Sequence, residues 1–105
     1  MNTDVDVLLR KNRYIQQNKR YVDGWRIQVL QATDKTKVLS MRSKVSNKFP
    51  EYQTYLDYKQ PYFKLRIGNF TDRFEAYQAY KAVSRQFNRA FLVRERIPLA
   101  KVREW

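Results

Sequence analysis

Apolar and polar positions alternate with a period of two in two stretches of the chain. In Gly24–Gln31, GWRIQVLQ, residues Trp25, Ile27 and Val29 fall on one side and Arg26 and Gln28 on the other. In Pro61–Phe70, PYFKLRIGNF, residues Phe63, Leu65 and Ile67 alternate with Tyr62, Lys64 and Arg66. Both stretches read as half-buried strands. Gly68 and Asn69 are expected to end the second. Each strand is followed by a helical pattern. Thr33-Asp34 starts one, with Val38, Met41, Val45 and Phe49 at helical spacing until Pro50 stops it; Thr71 opens the other.

The two strand–helix stretches match at an offset of 38 without a gap. Trp25-Arg-Ile-Gln-Val aligns with Phe63-Lys-Leu-Arg-Ile, Thr33-Asp34 with Thr71-Asp72, Val45 with Val83, and Phe49 with Phe87. Two copies are too few for a solenoid and suit a small domain with internal pseudo-symmetry. Each copy is followed by a further strand, EYQTYLDYK after Pro50 and AFLVRERI after Asn88, and Gln60-Pro61 makes the turn between the second and third strands. The order βαββαβ with right-handed crossovers predicts an α+β, ferredoxin-like (RNP-like) sandwich: a four-stranded antiparallel sheet with two helices on one face. Phe74, Tyr80 and Phe87 are expected in the core. Residues 1–20 read as an N-terminal helix capped by Thr3, residues 21–97 as the domain, and residues 98–105 as a tail.

The uncovered face of the sheet then presents Arg26, Gln28, Tyr62, Lys64 and Arg66, joined by Tyr55 or Tyr58 from the second strand according to register; of these two Tyr58 is the candidate taken. Cations on a surface are ordinarily a solvated face. Clustered with an amide and phenols they suit a ligand that offers hydroxyl or acetamido groups, ring faces, and a carboxylate or phosphate. Gln31 sits in the loop beyond Gln28.

Composition narrows this further. The 105 residues carry a formal charge of +12, which points to a partner bearing anionic groups. With neither Cys nor His, the chain has no thiol nucleophile, no disulfide, no histidine acid/base and no zinc site of N or S ligands. No acidic pair stands at a spacing suited to general acid/base work, and no glycine loop for phosphate is present. The reading is therefore a non-catalytic binding module with no cofactor and no metal. No apolar run is long enough for a membrane span. MNTDVDVLL lacks the regions of a signal peptide, which leaves a cytoplasmic protein or a chain trimmed of its targeting segment.

GWRIQVLQA before a helix, YFKLRIGNF before a second helix with Glu75-Ala76, and then AFLV resemble the SPOR (sporulation-related repeat) domain family over about residues 22–97. Ile27-Gln28-Val29 matches its apolar-Gln-apolar strand and Ile67-Gly68-Asn69-Phe70 its apolar-Gly-x-Phe motif. Leu30 and Gln31 depart from the glycine and small hydroxyl residue common there. The leading helix is similar to an extension seen in members from the Bacteroides group. The resemblance implies a periplasmic or envelope module that binds peptidoglycan glycan strands, those stripped of stem peptides and enriched at the division septum. It makes Gln28 the matched glutamine. Arg26, Lys64 and Arg66 are candidates for the lactyl carboxylate, with Gln31, Tyr62 and Tyr58 beside them. A monomer is expected, with division or envelope proteins as further partners. Two rivals remain: an RNA-binding module of the same topology, disfavoured because Lys64 and Arg66 stand where stacking rings are wanted, and a protein-interaction module using a sheet edge.

Overall fold

The computed structural model describes residues 20–102. The elements are β1 (Tyr21–Ala32), α1 (Lys35–Lys48), β2 (Thr54–Lys59), β3 (Tyr62–Phe70), α2 (Arg73–Gln86) and β4 (Phe91–Pro98), with a 3-10 turn at Leu99–Lys101 after the last strand. The strands form one antiparallel sheet in the order β2-β3-β1-β4. This is the expected α+β architecture. The two halves interleave, since β1 of the first half lies between β3 and β4 of the second. The helix expected over residues 1–20 lies outside the described residues but for Arg20. The 3-10 turn is tied back to the start of β1, where the Leu99 amide donates to the Arg20 carbonyl at 2.8 Å.

The repeat is visible in detail. α1 begins at Lys35 and α2 at Arg73, and both run for 14 residues. The caps are the aspartates. Asp34 accepts from the Thr36 amide and Asp72 from the Glu75 amide, satisfying donors that the first helical turn leaves open. At the other ends the Phe49 amide donates to Val45 and the Phe87 amide to Val83; the next turns close with Tyr52 on Phe49 and Ala90 on Phe87. The C-terminal bonds of the first unit each have their counterpart 38 residues on in the second, while the two aspartate caps accept from different amides, two and three residues on.

One core fills the space between the sheet and the helices. Ile27, Val29, Leu65 and Ile67 from the central strands meet Val38 and Val45 of α1 and Ala76, Ala79 and Val83 of α2. Phe49 and Phe87, the last residues of the two units, pack at its rim with ring centroids 6.3 Å apart. Phe74 is not core as expected: it is 70 % exposed. It sits in the first turn of α2, while the buried face of that helix is made by Ala76, Ala79 and Val83.

Two irregularities set which residues face which way. Between Trp25 and Ile27, β1 spends two steps while β3 spends three, from Phe70 to Ile67. The extra residue lies at Gly68-Asn69, where Gly68 takes a φ of 88°. The strand does not end there, as the sequence suggests; it continues to Phe70, whose ring is turned into the core. Between Gln28 and Leu30 the extra residue is in β1 instead. Val29 and Leu30 then both pack toward the core, and Gln31 becomes the register partner of Lys64.

Gly24 admits a close crossing. A Cβ there would collide with the Phe70 carbonyl oxygen and stand 2.7 Å from Cγ1 of Ile97. Gly24→Ala is expected to lower the unfolding free energy by about 1–3 kcal/mol through overpacking, read as a shifted urea midpoint at unchanged m-value.

Candidate functional site

The face of the sheet away from the helices is built row by row from the register. Tyr55 of β2, Arg66 of β3, Gln28 of β1 and Phe91 of β4 are successive cross-strand partners. Asp57, Lys64 and Gln31 form the next row, and Lys59 and Tyr62 the one beyond. On the other side of the first row come Asn69 and Arg26, then Gly24 opposite Glu95.

At the middle of this face the charges are engaged with one another. Arg26 is 7 % exposed and Gln28 5 %, not solvent-facing as alternation implies. Arg26 donates from Nε to the Gly68 carbonyl at 3.1 Å, from Nη1 to Glu95 Oε2 at 2.7 Å, and from Nη2 to Asn69 Oδ1 at 3.0 Å. Its guanidinium lies 3.9 Å from the centroid of the Tyr55 ring, whose hydroxyl also donates to Asn69. Every edge of Arg26 is in use, so it is part of the framework. Arg66 donates from Nε to Gln28 Oε1 and from Nη1 to Glu95 Oε1, both at 3.0 Å.

The exposed groups lie toward the β1–α1 end. Tyr62 is 43 % and Phe91 48 % exposed. Between them run Gln31, exposed, and Lys64, half-buried and without an ion pair among the described residues. A depression of about 390 Å³ is lined by Gln28, Val29, Leu30, Gln31, Arg89 and Phe91. The structure thus brings together Arg26, Gln28, Gln31, Tyr62, Lys64 and Arg66. Tyr58 stands apart: it pairs with Phe63, their rings 4.5 Å apart on the helix side of the sheet. Tyr55 takes the place on the open face. Sequence reading missed Asn69, Glu95, Arg89 and Phe91. Alternation in β4 places Phe91 and Glu95 in one phase, on one face of the sheet.

A second concavity, of about 800 Å³, lies where β2 and β3 approach α2, with Glu51, Tyr52, Asn69, Asp72, Phe74 and Glu75 in its wall. The Asp72 carboxylate is occupied by capping. Burial, then the negative charge of Glu51 and Glu75, pushes the Tyr52 phenol above the usual tyrosine range. Among the described residues no cluster of acidic side chains is placed to hold a metal, and no helix is long and apolar enough to cross a membrane.

The family model of the SPOR domain matches residues 21–94. The chain belongs to the SPOR domain family. No curated protein sequence and no solved structure matches it. SPOR domains are non-catalytic modules of envelope and periplasmic proteins that bind peptidoglycan, and the ferredoxin-like sheet described above is the fold of this SPOR domain.

Two outcomes are expected. Arg26→Leu removes the donor to the Gly68 carbonyl, to Asn69 and to one of the two Glu95 oxygens, and lowers stability by about 3 kcal/mol, whereas Lys64→Ala changes it by less than about 0.5 kcal/mol, both measured by urea denaturation. Tyr52 holds its proton more tightly folded than unfolded, so its contribution to stability is complete below the ordinary tyrosine pKa and lost as pH rises through the folded-state value. Tyrosinate absorbance during an alkaline titration should show one phenol ionising late, and Tyr52→Phe should remove that step.

Proposed function

We propose that this SPOR domain binds peptidoglycan glycan strands from which the stem peptides have been removed, and that it uses the exposed strip Tyr62, Lys64, Gln31 and Phe91 with Gln28 as its floor. The observation that carries the reading is the Gln28–Arg66 bond. By holding Oε1, Arg66 orients the amide and leaves its NH2 without a partner among the described residues, beside the depression lined by Gln31, Arg89 and Phe91. A buried donor of this kind calls for an acceptor, and the carbonyl of an acetamido sugar or a ring hydroxyl supplies one. The Phe91 and Tyr62 rings offer flat apolar cover for pyranose faces. The Lys64 ammonium suits a lactyl carboxylate.

That carboxylate explains the preference for stripped strands. In an intact strand the lactyl group is amide-bonded to the peptide and carries no charge, so Lys64 loses its partner and meets added bulk. Removing the peptide restores the anion. Selection by absence of a substituent is discrimination through the unfavourable alternative. Where stripped strands accumulate, at the septum of a dividing cell, a monomeric domain of this kind is concentrated without a protein partner.

The test is co-sedimentation with purified sacculi before and after amidase removal of stem peptides. Binding is expected to rise after amidase. Gln31→Ala, Phe91→Ala and Lys64→Ala should each weaken it by about five-fold, the effect of losing one hydrogen bond or contact of about 1 kcal/mol. Equal binding to both preparations would remove the claim for stripped strands; no binding to either would remove the glycan reading.

A further inference from the structure

The open face combines guanidinium groups with exposed rings, the parts from which single-stranded nucleic acid sites are made: cations for the phosphates and flat platforms for the bases. On a chain of charge +12 such a face would gather polyphosphates of every kind. We propose that Glu95 is the residue that prevents this, by occupying the guanidinium edges a phosphate would need. Its two carboxylate oxygens are divided between the two arginines, Oε2 on Arg26 at 2.7 Å and Oε1 on Arg66 at 3.0 Å.

The two arginines are held to different degrees. Arg26 keeps the Gly68 carbonyl, Asn69 and the Tyr55 ring whatever Glu95 does. Among the described residues Arg66 is held by Gln28 and Glu95 and remains partly exposed. Arg66 is therefore the cation that Glu95 withholds. An approaching phosphate must displace the carboxylate or sit beside it, and both are unfavourable. A sugar polymer with one carboxylate per unit bypasses this, because Lys64 lies a row away and, although Asp57 is its cross-strand neighbour, makes no ion pair among the described residues, and Gln28 offers an uncharged donor. Glu95 so acts on specificity through Arg66. The idea builds on the open face being the binding surface, and its test contains no glycan, so the two readings fail separately.

The probe is a labelled single-stranded oligouridylate, followed by fluorescence anisotropy over a range of salt concentrations. Glu95→Gln keeps the shape of the side chain and removes its charge. Its affinity is expected to rise about five-fold over the wild type, and the log–log salt slope to steepen by about 0.7, the increment for one further phosphate neutralised on a single strand. Adding Arg66→Gln to Glu95→Gln should return both quantities to wild-type values. A purely structural role for Glu95 would lower the melting temperature and leave the slope unchanged. An unaltered slope in a folded Glu95→Gln protein, or a gain that persists in the double variant, overturns the proposal. Should Glu95→Gln not fold, Arg66→Gln in the wild-type background decides. An unchanged slope is expected there, and a slope shallower by about 0.7 would mean that Arg66 already engages phosphate beside Glu95, which also overturns it.

Discussion

The bulge at Gly68-Asn69 and the guanidinium that closes it govern the rest of the sheet. A bulge costs a backbone group its ladder partner. Here the carbonyl of Gly68 is recovered by Nε of Arg26, while the Asn69 side chain is held by Nη2 and the Tyr55 hydroxyl. The extra residue reverses the facing of the end of β3, so Phe70 enters the core instead of the open face. Core packing on one side of β3 and polar order on the other thus have a single origin, and a cation buried to 7 % exposure is tolerable because each of its edges is answered.

Much of this fold was legible in the residues. The offset between the two strand–helix units survived translation into structure down to paired amide bonds at the helix ends. The strand order followed from the element order, because few topologies satisfy right-handed crossovers. Alternation also assigned the correct faces to Arg26, Gln28, Lys64 and Arg66. What alternation cannot report is depth. It names the side of a sheet on which Gln28 lies, and says nothing of the Arg66 chain laid against it or of Phe91 across the register. Tyr58 was misplaced for a related reason. In a short edge strand a shift of one residue exchanges the faces, and TYLDYK has aromatic residues in both phases. The adjacent apolar pair Val29-Leu30 and the Gly68-Asn69 step were the local signs of the two bulges.

Charge illustrates the gap between composition and surface. A net of +12 suggests a face that attracts anions indiscriminately. In the folded SPOR domain the two arginines at the centre share one carboxylate, while Lys64, flanked by the Gln31 amide, and Lys59 a row beyond make no ion pair among the described residues. Hydrogen-bonding groups fill the centre of this face and its lysines stand to the side.

The interleaving of the halves has a consequence for how the molecule comes to exist at all. With β1 seated between β3 and β4, the first unit cannot complete its sheet until the last strand has been made. Neither half holds the neighbours that complete the sheet, although each carries its own caps and helix. Both pairings of β1 join residues far apart in the chain, so closure of long loops precedes their reward and slows folding. On the ribosome the first half must wait, exposed, for its complement, and two separately made halves would find in each other the partner that finishes both.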